Sequence, residues 1–248
     1  MRKGLITCLV AVPLLLSATA TGSHRLSIHN FDFQAAERNL RNLRHTSKNL
    51  HEAELRPDGS RGFGLPNPQA ARAAFPTPPP PPFSTELEWT TYYTYCAWDV
   101  IVRAIHLDST PILTSDKTLI YTLSRFAVVE TIRSDVPLTP GQQLVAYRVG
   151  GEVVDRGERL RIDTPDMAPF EPQKTYILQL RRDKDASAQQ YSIAQGLTVE
   201  VSNGKIKPIA GEYAWLTGAD AFPLGAPYDE VRSTFLRVSK LKSCPESR

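Results

Sequence analysis

Five carboxylates and four arginines crowd one short stretch of the 248-residue chain: Glu152, Asp155, Glu158, Asp163 and Asp166 among Arg148, Arg156, Arg159 and Arg161. Two carboxylates held at a fixed separation can serve as acid and base in a hydrolase. The mixed signs argue instead for cross-strand ion pairs on a solvated face. The histidines are His24, His29, His45, His51 and His106, and only His106 lies in strand-like sequence, between Ile105 and Leu107. A lone strand histidine is more often structural than catalytic. His45 and His51 share a helical face poorly. H-E-x-x-H, C-x-x-C and G-x-S-x-G are all missing from the sequence, so the familiar zinc and serine-nucleophile patterns are not written in it. Ser202 to Lys205 and Ser239 to Lys242 match S-x-x-K, but they read as a hairpin tip and a polar helix end. Gly150, Gly151 and Gly157 follow a strand with no helix opening after them to hold phosphate. They read as turn or bulge positions. No catalytic residue, cofactor or metal ligand is assigned.

The aromatic residues offer a different chemistry. Trp89, Trp98 and Trp215, with Tyr92, Tyr93 and Tyr95, could line a groove for a carbohydrate or a peptide. Packing where helices close the ends of a barrel is the more ordinary reading. Trp89, Tyr92, Trp98 and Trp215 are the candidate ligand contacts.

The compartment follows from the first twenty residues. Arg2 and Lys3 precede the apolar run Leu5 to Leu16, and Ser17-Ala18-Thr19-Ala20 supplies small residues for cleavage after Ala20. This is the pattern of a secretory signal, and the run is too short to span a bilayer. The expected location is secreted or periplasmic, with no transmembrane segment after signal removal. Cleavage removes Cys8 and leaves Cys96 and Cys244, an even count in an oxidising compartment, for which a bridge is the simplest reading. Its loop of about 150 residues corresponds to roughly 5 kcal/mol in the chain-entropy model. Lys and Arg total 29 against 26 Asp and Glu. Without Arg2 and Lys3 the balance is close to neutral, which gives no general pull toward nucleic acid or anionic lipid.

The remaining chain divides by pattern. Phe33, Ala36, Leu40, Leu43 and Leu50 recur at helical steps, predicting an amphipathic helix over roughly 32–55 within an arm spanning 21–56. Arg38, Arg41, Arg44, Lys48 and Arg56 form its basic face. The helix either docks on the main domain or stays mobile; an arm for an acidic partner or a membrane surface is the less favoured reading. Breakers and a proline run then make 57–84 a stiff linker. Residues 85–243 form the main domain. Ser84 or Thr85 caps a short helix running to about Cys96. Strands are predicted at Val100–Leu107, Leu119–Ile132, Gln143–Val149, Glu152–Asp155, Arg159–Ile162, Lys174–Arg181, Tyr191–Ala194, Leu197–Val201 and Lys205–Ile209. Ser109–Lys117 reads as a turn, and Asn203-Gly204 as a type I′ hairpin. Val231, Phe235, Val238 and Leu241 return to helical spacing over 227–242. Short strands with no helices between them point to a mostly β fold, an antiparallel barrel or sandwich bracketed by helices.

The stretch 85–209 resembles a widespread group of exported bacterial β proteins. The resemblance lies in Asp99-Val100-Ile101-Val102, Thr118-Leu119-Ile120-Tyr121-Thr122, Pro140-Gly141, Arg148-Val149-Gly150-Gly151-Glu152-Val153, Pro169-Phe170-Glu171-Pro172, Tyr176 to Arg181 and Ala194-Gln195-Gly196. That group is similar to netrin-type, tissue-inhibitor-of-metalloproteinase-like modules, which implies an OB-like barrel with flanking helices. Inhibition by those modules depends on a cysteine at the mature N-terminus. Here that terminus is Thr21, so the activity does not carry over. The reading favoured is an exported, non-enzymatic module that binds a protein, peptide or glycan. The rivals are a carboxylate hydrolase of the 152–166 region and a structural envelope component.

Overall fold

The run of β-branched residues that begins at Val100 organises the molecule. The computed structural model describes residues 31–50, 81–162, 168–193, 198–209 and 224–244. The predicted leader, most of the proline-rich segment, and Trp215, Asp163 and Asp166 lie outside these residues. Three helices and nine strands are described: α1 (Phe33–Leu50), α2 (Glu86–Ala97), β1 (Val100–Leu113), β2 (Ile120–Ser134), β3 (Gln143–Val149), β4 (Gly151–Asp155), β5 (Glu158–Ile162), β6 (Thr175–Arg182), β7 (Gln190–Ile193), β8 (Val199–Ser202), β9 (Lys205–Pro208) and α3 (Tyr228–Leu241). Among the described residues, no helix is long and apolar enough to cross a membrane.

Seven strands form one sheet in the order β1-β2-β3-β7-β6-β8-β9, and β1 also pairs with β6. The sheet therefore closes a ring of five strands, β1-β2-β3-β7-β6, with β8 and β9 as an extension. An all-antiparallel sheet is corrected here: β3 and β7 run parallel, with Val145 opposite Gln190 and Tyr147 opposite Ser192. A parallel pair needs a long crossover, and the chain from Val149 to Gln190 supplies it. The predicted turn at Ser109–Lys117 is also corrected. β1 continues through a bulge between His106 and Asp108 and pairs Leu113 with Ile120. Pro111 is tolerated because β1 pairs there with β2 alone, as an edge position allows.

Alternation sorts the side chains between inside and outside. Val100, Val102, Ala104, Phe126, Leu144, Ala146, Tyr176, Leu178 and Leu180 fill the ring. The outward set Ile101 and Ile177 lies under α3, with Tyr228, Val231 and Phe235 packed on it and on Val199 and Ile206. Asp229 and Glu230 in the first turn of α3, and Lys240 in the last, match the helix dipole. Thr85 caps α2 by accepting from the Glu88 amide at 3.1 Å, and Glu88 reaches back to the Ser84 amide at 2.8 Å. A disulfide joins Cys96 to Cys244, with Cα atoms 5.3 Å apart. It staples the end of α2 to the chain just beyond α3. The β4–β5 and β8–β9 hairpins turn at Arg156-Gly157 and Asn203-Gly204, all four with positive φ.

Candidate ligand-binding face

The outward residues of β2 and β3 make a second apolar face, on the far side of β2 from the ring interior. Tyr121 and Leu123 of β2 meet Tyr147 and Val149 of β3, with Leu123 directly opposite Tyr147. Their cluster also takes in Ile112, Leu119 and Val145. Two turns flank the face: 114–119 between β1 and β2, and 183–189 between β6 and β7. The face is occupied by α1. Phe31, Ala36 and Leu40 are buried on it, and the Phe31 ring stands edge-on to Tyr147 at 5.8 Å. The helix seen is Phe33–Leu50; residues 51–55 of the predicted span lie outside the described ones. Its stripe is shifted as well. Ala35, Ala36 and Leu40 are buried while Phe33 is 38% exposed.

Polar groups fix the helix at three points. The Gln190 amide grips the main chain of Asp32 twice: its Oε1 accepts from the Asp32 N–H at 2.8 Å and its Nε2 donates to the Asp32 carbonyl at 3.1 Å. The Asp32 carboxylate caps α1 through the Ala35 amide at 2.9 Å. Its other oxygen accepts from the Ser187 amide and hydroxyl, each at 3.1 Å. These N–H donors, Ala35 first, hold the Asp32 carboxyl below the ordinary carboxylate range. Midway along, Asn39 donates to the Tyr147 hydroxyl at 2.7 Å, and that hydroxyl donates to Asp183 at 3.1 Å. Gln190 Nε2 meets the same Asp183 oxygen at 3.1 Å. Burial, with the nearby Asp183 charge, pushes the Tyr147 phenol above its ordinary value. On the opposite side, Glu37 accepts from the Ser115 amide at 2.9 Å and hydroxyl at 2.6 Å. Beneath the helix the Tyr121 hydroxyl is buried, with no hydrogen-bond partner among the described residues.

A second polar cluster closes one end of the ring. At inward-facing positions, His106, Ser124 and Arg148 replace the apolar residues found deeper inside. His106 Nε2 lies 2.8 Å from Ser109 Oγ, which lies 2.7 Å from Ser124 Oγ. Burial holds the imidazole below its ordinary value, hence neutral near pH 7. A hydroxyl against an imidazole is half of a nucleophilic relay, but among the described residues His106 Nδ1 has no side-chain partner to orient the base. Arg148 stacks on Phe170, its Cζ 4.4 Å from the ring centroid, and donates to the Ala168 carbonyl at 3.2 Å. Burial pulls its guanidinium down to about 10, still a cation at neutral pH. These contacts pin the 168–174 segment across the ring end, along with the His106 N–H to the Lys174 carbonyl at 2.9 Å.

The aromatic candidates go elsewhere. Trp89 stacks on Tyr92 at 5.9 Å, and both pack with Phe83 and Val238 between α2 and α3. The Tyr92 hydroxyl donates to the Ser243 carbonyl at 2.8 Å. Trp98 lies in a different cluster, against α3's apolar set, with Arg181 over its ring at 5.2 Å. Cys96 and Cys244 do meet. In the acidic stretch, Glu152 pairs with Arg159 at 3.0 Å and Asp155 with Lys117 at 2.5 Å. Glu152 and Asp155 project from opposite faces of the hairpin. Among the described residues, no cluster of three or more metal-ligating side chains occurs.

The helix-gripping residues Ser115, Tyr147, Asp183, Ser187 and Gln190 were not legible as a site. Their one local signal is Asp32 followed by Ala35, Ala36 and Leu40, a capped helix start with a small-residue stripe. Comparison with protein-family models and with curated proteins finds no match.

Proposed function

We propose that this chain is an exported, non-enzymatic binding module on an OB-like barrel, and that its ligand is a peptide segment of a protein. The five-strand order with a parallel β3–β7 closure is the support for the OB-like reading. Barrels of that kind bind ligands on the face of their second and third strands, between the loops after the first and fourth. The corresponding places here are the β2–β3 face, the 114–119 turn and the 183–189 turn. The observation that carries the peptide reading is Gln190. Its carboxamide satisfies both the N–H and the C=O of one residue, the donor and acceptor pair that peptide main chain presents. The signal-like leader and the Cys96–Cys244 bridge support an extracytoplasmic location.

Display panning tests this reading. A random peptide library and a glycan array are presented to the full chain and to its Leu40→Asp variant, which weakens the seat of α1. Enriched peptides whose binding falls about tenfold or more in Gln190→Ala, as for a lost two-point hydrogen-bonded contact, support it. Glycan binding alone, or peptides indifferent to Gln190, contradict it. Cleavage of a broad hydrolase panel that vanishes in Glu152→Ala or Asp155→Ala would favour the rival.

A further inference from the structure

Two features of the α1 seat are unusual for a permanent core contact. Over residues 31–42, whose burial is described, the apolar groups buried are two alanines and one leucine of the helix, with Phe31 just before it. Most of the fixing is done by hydrogen bonds from groups that water satisfies equally well when the helix leaves, namely the Asp32 and Glu37 carboxylates and the Asn39 amide. Among the described residues the Tyr121 hydroxyl has no partner in the closed state, and a buried unpaired donor counts against that state. The first described residue after α1 is Pro81, so thirty residues separate Leu50 from it. Contacts rich in solvent-exchangeable hydrogen bonds open below the global unfolding limit.

We infer that α1 is a detachable self-ligand: it occupies the peptide-binding face in cis, and an amphipathic helix of matching chemistry displaces it in trans. This rests on the peptide-binding reading above and adds the form of the partner. The seat specifies a helix that begins with Asp. Small residues stand three and four places on, an acid at five, Asn at seven and Leu at eight, reproducing Asp32, Ala35, Ala36, Glu37, Asn39 and Leu40. The Ser187 amide and hydroxyl would take the acidic cap, Gln190 the first peptide group, and Ser115 the second acid. A bulky side chain in place of Ala36, which is fully buried, would be rejected.

Native-state hydrogen exchange on the unaltered full chain tests this, using a synthetic peptide of residues 31–50 as the probe. Without peptide, the amides of Ala35 to Leu40 should exchange at least about tenfold faster than those of Tyr121 to Phe126 in β2, through an opening that low urea barely accelerates. An intramolecular competitor corresponds to an effective concentration of roughly millimolar order. About 1 mM peptide should therefore speed exchange of the chain's own α1 several-fold while β2 and β3 stay protected. Fraying of the helix in place would not respond to peptide. Exchange of α1 in step with β2, or exchange unmoved by peptide, would overturn the inference. In either case a peptide enriched on the Leu40→Asp chain and sensitive to Gln190 would still leave the binding reading standing.

Discussion

Two helices cover two outer faces of one five-strand ring, and they do it by different means. α3 buries Tyr228, Val231, Phe235 and Val238, each at most 3% exposed. It is tied to β2 through Glu130, which accepts from the Tyr228 hydroxyl at 2.7 Å and pairs with Arg232. The nearby disulfide joins the chain just past it to α2. Over the residues whose burial is described, α1 buries two alanines and Leu40, and it is held by carboxylates, amides and a main-chain grip. At about 1.5–3 kcal/mol for each fully buried large apolar side chain, α3 is a permanent wall of the core. α1 has the make-up of a ligand. On the proposal made above, the same ring carries a structural cover and a recognition contact side by side.

The largest expected effect lies on the α3 side. Phe235→Ala removes a fully buried ring and should cost about 3–5 kcal/mol in a urea or thermal melt, lowering protection throughout the ring. A loss below about 1 kcal/mol would show that α3, too, is loosely attached. Next is the staple. Cys96→Ser with Cys244→Ser should cost about 2–5 kcal/mol of global stability and leave exchange at α1 relative to the ring unchanged.

Leu40→Ala should behave differently. Its intrinsic cost is about 2–5 kcal/mol, but the loss of global stability is capped at the docking free energy of α1, because an undocked helix has nothing further to lose. The melt should therefore move far less than for Phe235→Ala, with the change concentrated in α1 exchange. A full-sized global loss would make α1 as integral as α3.

Acid should sharpen the contrast. The Asp32 carboxyl is depressed in the folded state, so its contribution is present above the ordinary carboxylate pKa of about 3.9 and is lost as pH falls through the lower folded value. α1 should release first as pH drops below about 4, followed by exchange or by tyrosine fluorescence of the uncovered face. Glu130 is also held below its ordinary value, burial opposing and the Tyr228 hydroxyl and Arg232 prevailing. The α3 cover nevertheless keeps its apolar contacts and the staple through the same range. The smallest effect is expected on the β4–β5 hairpin, where Glu152→Ala should shift stability by less than about 0.5 kcal/mol.

Local signals in the sequence were read where they are strong. The Tyr176, Leu178, Leu180 alternation gave β6, the Asn203-Gly204 pair its hairpin, and Val231, Phe235, Val238 the buried stripe of α3. The Cys96–Cys244 pairing followed from counting. What escaped notice was non-local. The parallel β3–β7 pair joins segments about forty residues apart, and no periodicity within either strand records which neighbour it takes. Pro111 suggested a turn because its edge position is a property of the sheet and not of the residue. The helix seat is the extreme case. Asp32 and Gln190 are 158 positions apart, and Asp183 to Gln189 looks like an ordinary polar turn until α1 is laid against it. Aromatic residues drew attention to α2, but Trp89 and Tyr92 are packed between helices there, and Trp98 belongs to another cluster.

The most direct test is the binding of a fluorescent peptide of residues 31–50 to the full-length Leu40→Asp chain, followed by anisotropy. The account predicts saturable one-to-one binding, tight enough to measure at micromolar to sub-millimolar peptide. It should weaken about tenfold or more when Gln190→Ala is added and be lost when the peptide carries Ala36→Trp. A folded Leu40→Asp chain that binds none of the peptide, or binds both peptides alike, would contradict it.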